Sequence, residues 1–224
     1  MEIFADLLAR LKGRFAAQLG IEVKAGSKAR QQWFLAAILY GARISGELAA
    51  RTYRVFAARG IYTPEDILAQ GWDNLVALLD EGGYARYDFK TATKLLKVME
   101  SLQESYRGDL EEVHRVAANP GDLESRLMAL APGIGPATVN IFLRELRGVW
   151  AKAAPPLSRL AQAAAEHLQL IPSGLTPFEA LRRLEEEWRR QPVKGYDFAD
   201  LEAALVRLGL ERRRRRPPVA PSRA

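Results

Sequence analysis

Two glycines around one isoleucine, in Pro132-Gly133-Ile134-Gly135-Pro136, are the residues of this chain with the clearest chemical use. The apolar stretch Leu127-Met128-Ala129-Leu130-Ala131 runs into them, and Ala137-Thr138-Val139-Asn140-Ile141-Phe142-Leu143 runs out. Pro136 suits the first position of a helix, where a missing N–H leaves no bond unmade. The pattern predicts a helix hairpin at about 122–147. Glycine tolerates positive φ and carries no side chain, so amides at Gly133, Gly135 and the next helical turn can converge on one phosphate oxygen. Ile134 would plug the apolar underside of the corner. Pro132, Gly133, Ile134, Gly135, Ala137 and Thr138 are therefore the candidate nucleic-acid contacts, with room for a monovalent cation among the loop carbonyls. Such a site grips a sugar–phosphate strand without reading its sequence. A plain interhelical turn with glycine caps would use the same residues.

Other side chains carry two readings each. Trp33, Tyr40 and Trp150 could stack on an extruded or neighbouring base, and helical aromatics equally serve as core. His114 and His167 have no partners at metal-ligand spacing, and His167 falls near a helix C-terminus, where a positive ring is favourable. Glu185-Glu186-Glu187 before Arg189-Arg190 reads as a solvated helix face. The chain has no cysteine, which excludes disulfides, thiolate nucleophiles, zinc–thiolate fingers and cysteine-held iron–sulfur clusters. No cofactor is expected beyond the cation at the hairpin.

The elements that must position these residues are helical throughout. Apolar residues recur at helical spacing and period-two alternation is missing, so an all-α fold is expected. The predicted helices cover about 2–18, 28–43, 46–59, 72–81, 88–106, 122–131, 136–147, 157–168, 177–190 and 198–209. Ser27 is expected to cap the second, Thr63-Pro64 to open a short one, and Thr176-Pro177 another. Gly60, Gly71 and Gly209 are placed where helices should stop.

With 224 residues, 48% of them hydrophobic, the chain can bury one sizeable core or two small lobes. No apolar run approaches the roughly 18 residues that a membrane span needs. The start, Met1-Glu2-Ile3-Phe4, lacks the form of a signal peptide, so a cytoplasmic, nucleoid-associated monomer is expected. The formal charge of +6 is uneven: residues 211–224 hold six Arg and one Glu, so the rest of the chain is close to neutral. The run Arg212-Arg213-Arg214-Arg215-Arg216-Pro217-Pro218 is predicted to be a disordered tail, either an anchor for nucleic acid or a solubilising end.

Around the hairpin, the order of motifs resembles the helix-hairpin-helix superfamily of DNA glycosylases, the relatives of endonuclease III. Gln32-Trp33-Phe34-Leu35-Ala36-Ala37-Ile38-Leu39-Tyr40-Gly41-Ala42-Arg43 looks like the early helix that ends beside the substrate pocket. Gly82-Gly83-Tyr84 through Lys90-Thr91-Ala92 is similar to the Gly-Tyr turn and Lys-Ala helix before the hairpin, and the stretch from Tyr196-Asp197-Phe198 to the closing helix of cluster-free members. Ala131 stands where the family usually has a larger Leu. The resemblance implies a two-lobed helical fold over residues 1–210, double-stranded DNA as partner, and excision of a damaged base. It also makes Arg43 and Ile44 candidates for the wedge that fills the gap left by the base, beside Trp33, Tyr40 and Trp150 as pocket residues.

The family's catalytic pair is missing. The position of its Schiff-base lysine is Ala137, and that of its aspartate falls at Ala154 or Pro155. No carboxylate stands between Glu145 and Glu166, so a small shift of register brings none in. Strand cleavage by β-elimination is not expected without the amine. Lys152 as an unorthodox nucleophile, or a carboxylate from elsewhere such as Asp197, are the two substitutes the sequence offers. Three functions stay open: a base-excision protein with retained or altered N-glycosylase chemistry, a non-catalytic module that binds distorted DNA and recruits other factors, and an interaction scaffold that has lost DNA.

Overall fold

The computed structural model describes residues 2–215 and, among them, eleven α-helices and no strand. The helices are α1 (Glu2–Arg10), α2 (Ser27–Tyr40), α3 (Gly46–Ala58), α4 (Pro64–Glu81), α5 (Asp88–Tyr106) and α6 (Leu110–Val116). They continue with α7 (Pro120–Ala129), α8 (Pro136–Arg144), α9 (Arg159–His167), α10 (Pro177–Arg190) and α11 (Phe198–Arg215). The all-α expectation holds. No helix of the described residues is long and apolar enough to cross a membrane.

Two compact units divide the chain, one of residues 16–155 and one of 1–15 with 156 onward. In the unit of residues 16–155, α2 is the central rod. Trp33 through Leu39 are all buried, and α3, α6 and α8 pack on it, so this helix is apolar on every side. Its polar loose ends are met from within the unit. Trp33 Nε1–H donates to Phe142 O (3.1 Å) and Tyr84 O–H donates to Leu39 O (2.9 Å). Helix α4 opens on a reciprocal cap between Thr63 and Asp66 and breaks at Gly71 (φ +68°, ψ 174°). The predicted Thr63-Pro64 helix and the predicted 72–81 helix are thus two halves joined at that glycine.

The other unit gathers α1, α9, α10 and α11 around Leu8, Ala161, Ala164, Ala165, Leu184, Leu201 and Leu205. Asp197 caps α11: its Oδ1 accepts from the amides of Ala199 (3.0 Å) and Asp200 (3.2 Å), and Asp200 Oδ2 accepts from Asp197 N–H (2.8 Å). Arg14 holds both carboxylates from the side.

Several boundaries differ from expectation, each for a local reason. The helix expected over 2–18 ends at Arg10, since Gly13 adopts φ +90°. Ser27 is the first residue of α2 and not its cap; its hydroxyl donates to Asp109 instead (3.2 Å). Helix α6, with Asp109 as cap, is not among the expected helices. Gly209 lies inside α11, which runs on through Arg215. Residues 211–215, expected to be disordered, are therefore helical, and the rest of the predicted tail lies outside the described residues.

Candidate nucleic-acid interface

Helix α7 is capped by Asn119, whose Oδ1 accepts from Asp122 N–H (3.0 Å), with Pro120 in the first turn. Beyond Ala129 the chain turns through Ala131–Gly135 and enters α8 at Pro136. Gly133 has φ +92°, the conformation that requires glycine, while Gly135 is extended (φ −111°, ψ 178°) and caps α8. Ile134 is 4% exposed and Thr138 3%, so both face inward. Pro132, Gly133, Pro136 and Ala137 are exposed. Within the corner, Ile134 N–H donates to Ala131 O (3.1 Å) and Val139 N–H to Gly135 O (3.1 Å). The amides of Gly133, Gly135, Ala137 and Thr138 meet no protein acceptor among the described residues. A helix start with free amides carries partial positive charge.

The side chain of Thr138, whose amide is among the candidate contacts, helps to fix α8 in place. It fills the space at Gly41, where an added Cβ would lie 2.0 Å from Thr138 Oγ1. That close approach brings the end of α2, and with it Arg43 and Ile44, beside the first turn of α8. Arg43 is exposed and Ile44 half-buried.

Lys94 of α5 completes the corner, and sequence analysis did not single it out. A Cβ on Gly133 would lie 3.3 Å from Lys94 Cδ, so the lysine stem runs alongside the glycine. No carboxylate of the described residues pairs with it, and burial pushes its pKa below the ordinary lysine value. Its register was the available sign. Lys94 sits with Thr91, Leu95 and Val98 at the i, i+3, i+4, i+7 positions of the buried stripe, where a lysine is out of place.

The proposed pocket aromatics are mostly core. Trp33 is fully buried in α2. Trp150 is buried edge-on to Phe142 (5.6 Å), stacked on the His114 ring (4.8 Å, 3°), and donates Nε1–H to Glu111 (2.9 Å). Glu111 is paired in turn with Arg30. Tyr40 is half-buried and tilted against Trp33 at 6.2 Å.

Both side chains that the sequence offered as catalytic substitutes are engaged within the protein. Lys152 Nζ donates to His114 O (2.8 Å) and Arg115 O (3.1 Å), so it satisfies the open carbonyls at the end of α6. Asp197 is the cap of α11 and the partner of Arg14. Ala137 presents only a methyl group to solvent, Ala154 is half-buried, and Pro155 O accepts from Arg147 (2.5 Å). Among the described residues no group of three or more His, Asp or Glu could hold a metal ion. No protein-family description matches the chain, and no curated protein matches it.

Proposed function

We propose that this chain binds the sugar–phosphate backbone of duplex DNA through the Pro132–Ala137 corner, on a scaffold of the helix-hairpin-helix glycosylase type. The observation that carries the reading is an exposed corner whose amides at Gly133, Gly135 and Ala137 have no protein acceptor, with the unpaired Lys94 beside it. Free amides begin any helix; the unpaired lysine held beside them is what a turn that merely joined two helices would not need. Phosphate oxygens supply both the acceptors and the counter-charge.

On catalysis, the engagement of Lys152 and Asp197 favours a module that recognises and recruits over one that excises a base. Incubation with duplexes that carry uracil, oxidised or alkylated bases, followed by alkali, should then leave the strands intact; cleavage at any lesion would restore the excision reading.

Binding to an intact duplex, followed by fluorescence anisotropy, tests the corner. Gly133→Asp places a carboxylate against the amide cluster at a backbone angle that aspartate resists, and should weaken binding at least tenfold. Affinity unchanged in Gly133→Asp and in Gly135→Asp would remove the corner from the interface.

A further inference from the structure

Helix α4 restarts at Trp72, immediately after the break at Gly71, and its indole stands on the outside of the α4–α5 pair. Trp72 is 39% exposed and Phe89, at the start of α5, is 58% exposed, the most open of the large apolar side chains among the described residues. Their ring centroids are 5.2 Å apart at 44°. The pair is held rather than loose. Trp72 Nε1–H donates to Thr93 Oγ1 (3.0 Å), and the Thr93 hydroxyl donates back to Phe89 O (2.9 Å). Leaving two fixed aromatic rings in water is unfavourable unless something covers them.

Charge says what the cover is. Between Asp88 and Glu100 the chain holds Lys90, Lys94 and Lys97 and no carboxylate. Lys90 and Lys97 are exposed, and the spacing of three to four residues lines the three lysines along one side of α5. Of the acids near the rings, Asp88 is turned onto the Phe89 amide (2.7 Å) and shares a hydrogen bond with Asp80, whose pKa is raised by burial first and then by Asp88. Asp73 follows Trp72, and the lysines lie further along α5. An apolar protein partner would need the rings and not the lysines; a polyanion would need the lysines and not the rings. A nucleic-acid strand with unpaired bases uses both, since every base offers a π-face and every phosphate a charge.

We infer that the Trp72–Phe89 pair is a stacking platform for unpaired bases of a nucleic-acid strand, with Lys90 and Lys97 on the adjoining phosphates. The platform goes beyond the duplex contact proposed for the hairpin. Phe89 and Lys94 are five residues apart, about 7.5 Å along the helix axis. A strand gripped at the corner thus has its neighbouring nucleotides within reach of the rings, although the platform does not depend on that grip.

Trp72 reports on its own site, because Trp33, Trp150 and Trp188 are buried. Titration of the full chain with an oligothymidylate of about fifteen nucleotides, a length in the range that stacking grooves accept, should quench the tryptophan emission. The saturable quenching should vanish in Trp72→Phe. Phe89→Ala, at an exposed position, should weaken binding about tenfold, the loss of one stacked base. Lys90→Gln with Lys97→Gln should flatten the dependence on salt by between one and two phosphates' worth. No quenching, or equal quenching in Trp72→Phe, would overturn the platform. So would a Phe89→Ala variant with unchanged affinity that sediments as monomer where the parent chain is a dimer, which would assign the rings to an interface between copies. Gly133→Asp separates this from the hairpin reading: quenching should survive it, whatever becomes of duplex binding.

Discussion

Lys94 and His114 are two residues whose titration the structure perturbs in ways that solution measurements can follow. Burial lowers the pKa of Lys94, so the ammonium gives up its proton at a lower pH than an ordinary lysine. If it faces a phosphate beside Gly133, duplex affinity should fall as pH rises through that lowered value, before other lysines titrate. Anisotropy titrations from neutral to alkaline pH check this, and Lys94→Gln should remove the early alkaline limb. His114 titrates on the acid side. Burial first, then the charge of Lys152, pushes its pKa below the usual 6.5, against the pull of Glu111 and with a smaller push from Arg30. The unfolded chain therefore binds the proton more readily. The stabilising contribution is full above about 6.5 and is lost as pH falls toward the folded value. Denaturant midpoints measured down this range should slope less in His114→Gln. The hairpin glycines could be read from the sequence because glycine's freedom of φ is a property of one residue. Lys94's place beside Gly133 could not, because the two residues lie on segments brought together only by the fold.

Among the elements, those with local punctuation were legible and those shaped by a neighbour were not. Helix α10 lies where Thr176-Pro177 and the apolar period put it, and α5 runs over the expected 88–106. A cap and a period act within a few residues, so the sequence contains their whole cause. Gly209 shows the opposite case. It reads as a stop, yet α11 passes through it, because a Cβ there would come 2.4 Å from Leu160 O of the adjoining chain segment. The glycine permits a close approach rather than a turn. Gly209→Ala should therefore cost about 1–3 kcal/mol in denaturant unfolding despite alanine's better helix propensity, as overpacking does elsewhere. A gain in stability would show that α11 can shift to admit the methyl group. Gly41 likewise permits a close approach, here to Thr138, and the second helix ends just before it, at Tyr40 and not at the expected residue 43.

Across the whole molecule, the charge is concentrated where the sequence put it, at the C-terminal arginines, but part of that run has a shape. Arg212 to Arg215 form the last turn of α11, and Arg10 pairs with Glu211 at 3.5 Å just before it. Four arginines on a helical turn form a denser charge than the same residues on a loose tail. Replacement of Arg212–Arg215 by Gln should reduce the slope of log K against log salt for duplex binding by roughly 0.9 for each phosphate that is no longer neutralised. An unchanged slope would leave the run as a solubilising end. The sequence alone determined that the chain is helical, that it has no thiol chemistry, that a glycine corner joins two helices, and that Ala137, Ala154 and Pro155 offer neither an amine nor a carboxylate. Those are consequences of composition, period and local conformation. Tertiary structure alone decided that Trp33 and Trp150 are core, that Lys152 caps α6, that Asp197 is taken by Arg14 and α11, and that Lys94 lies beside the corner. Each of these depends on which distant segment a side chain meets, and that is set by the packing of helices and not by any spacing along the chain.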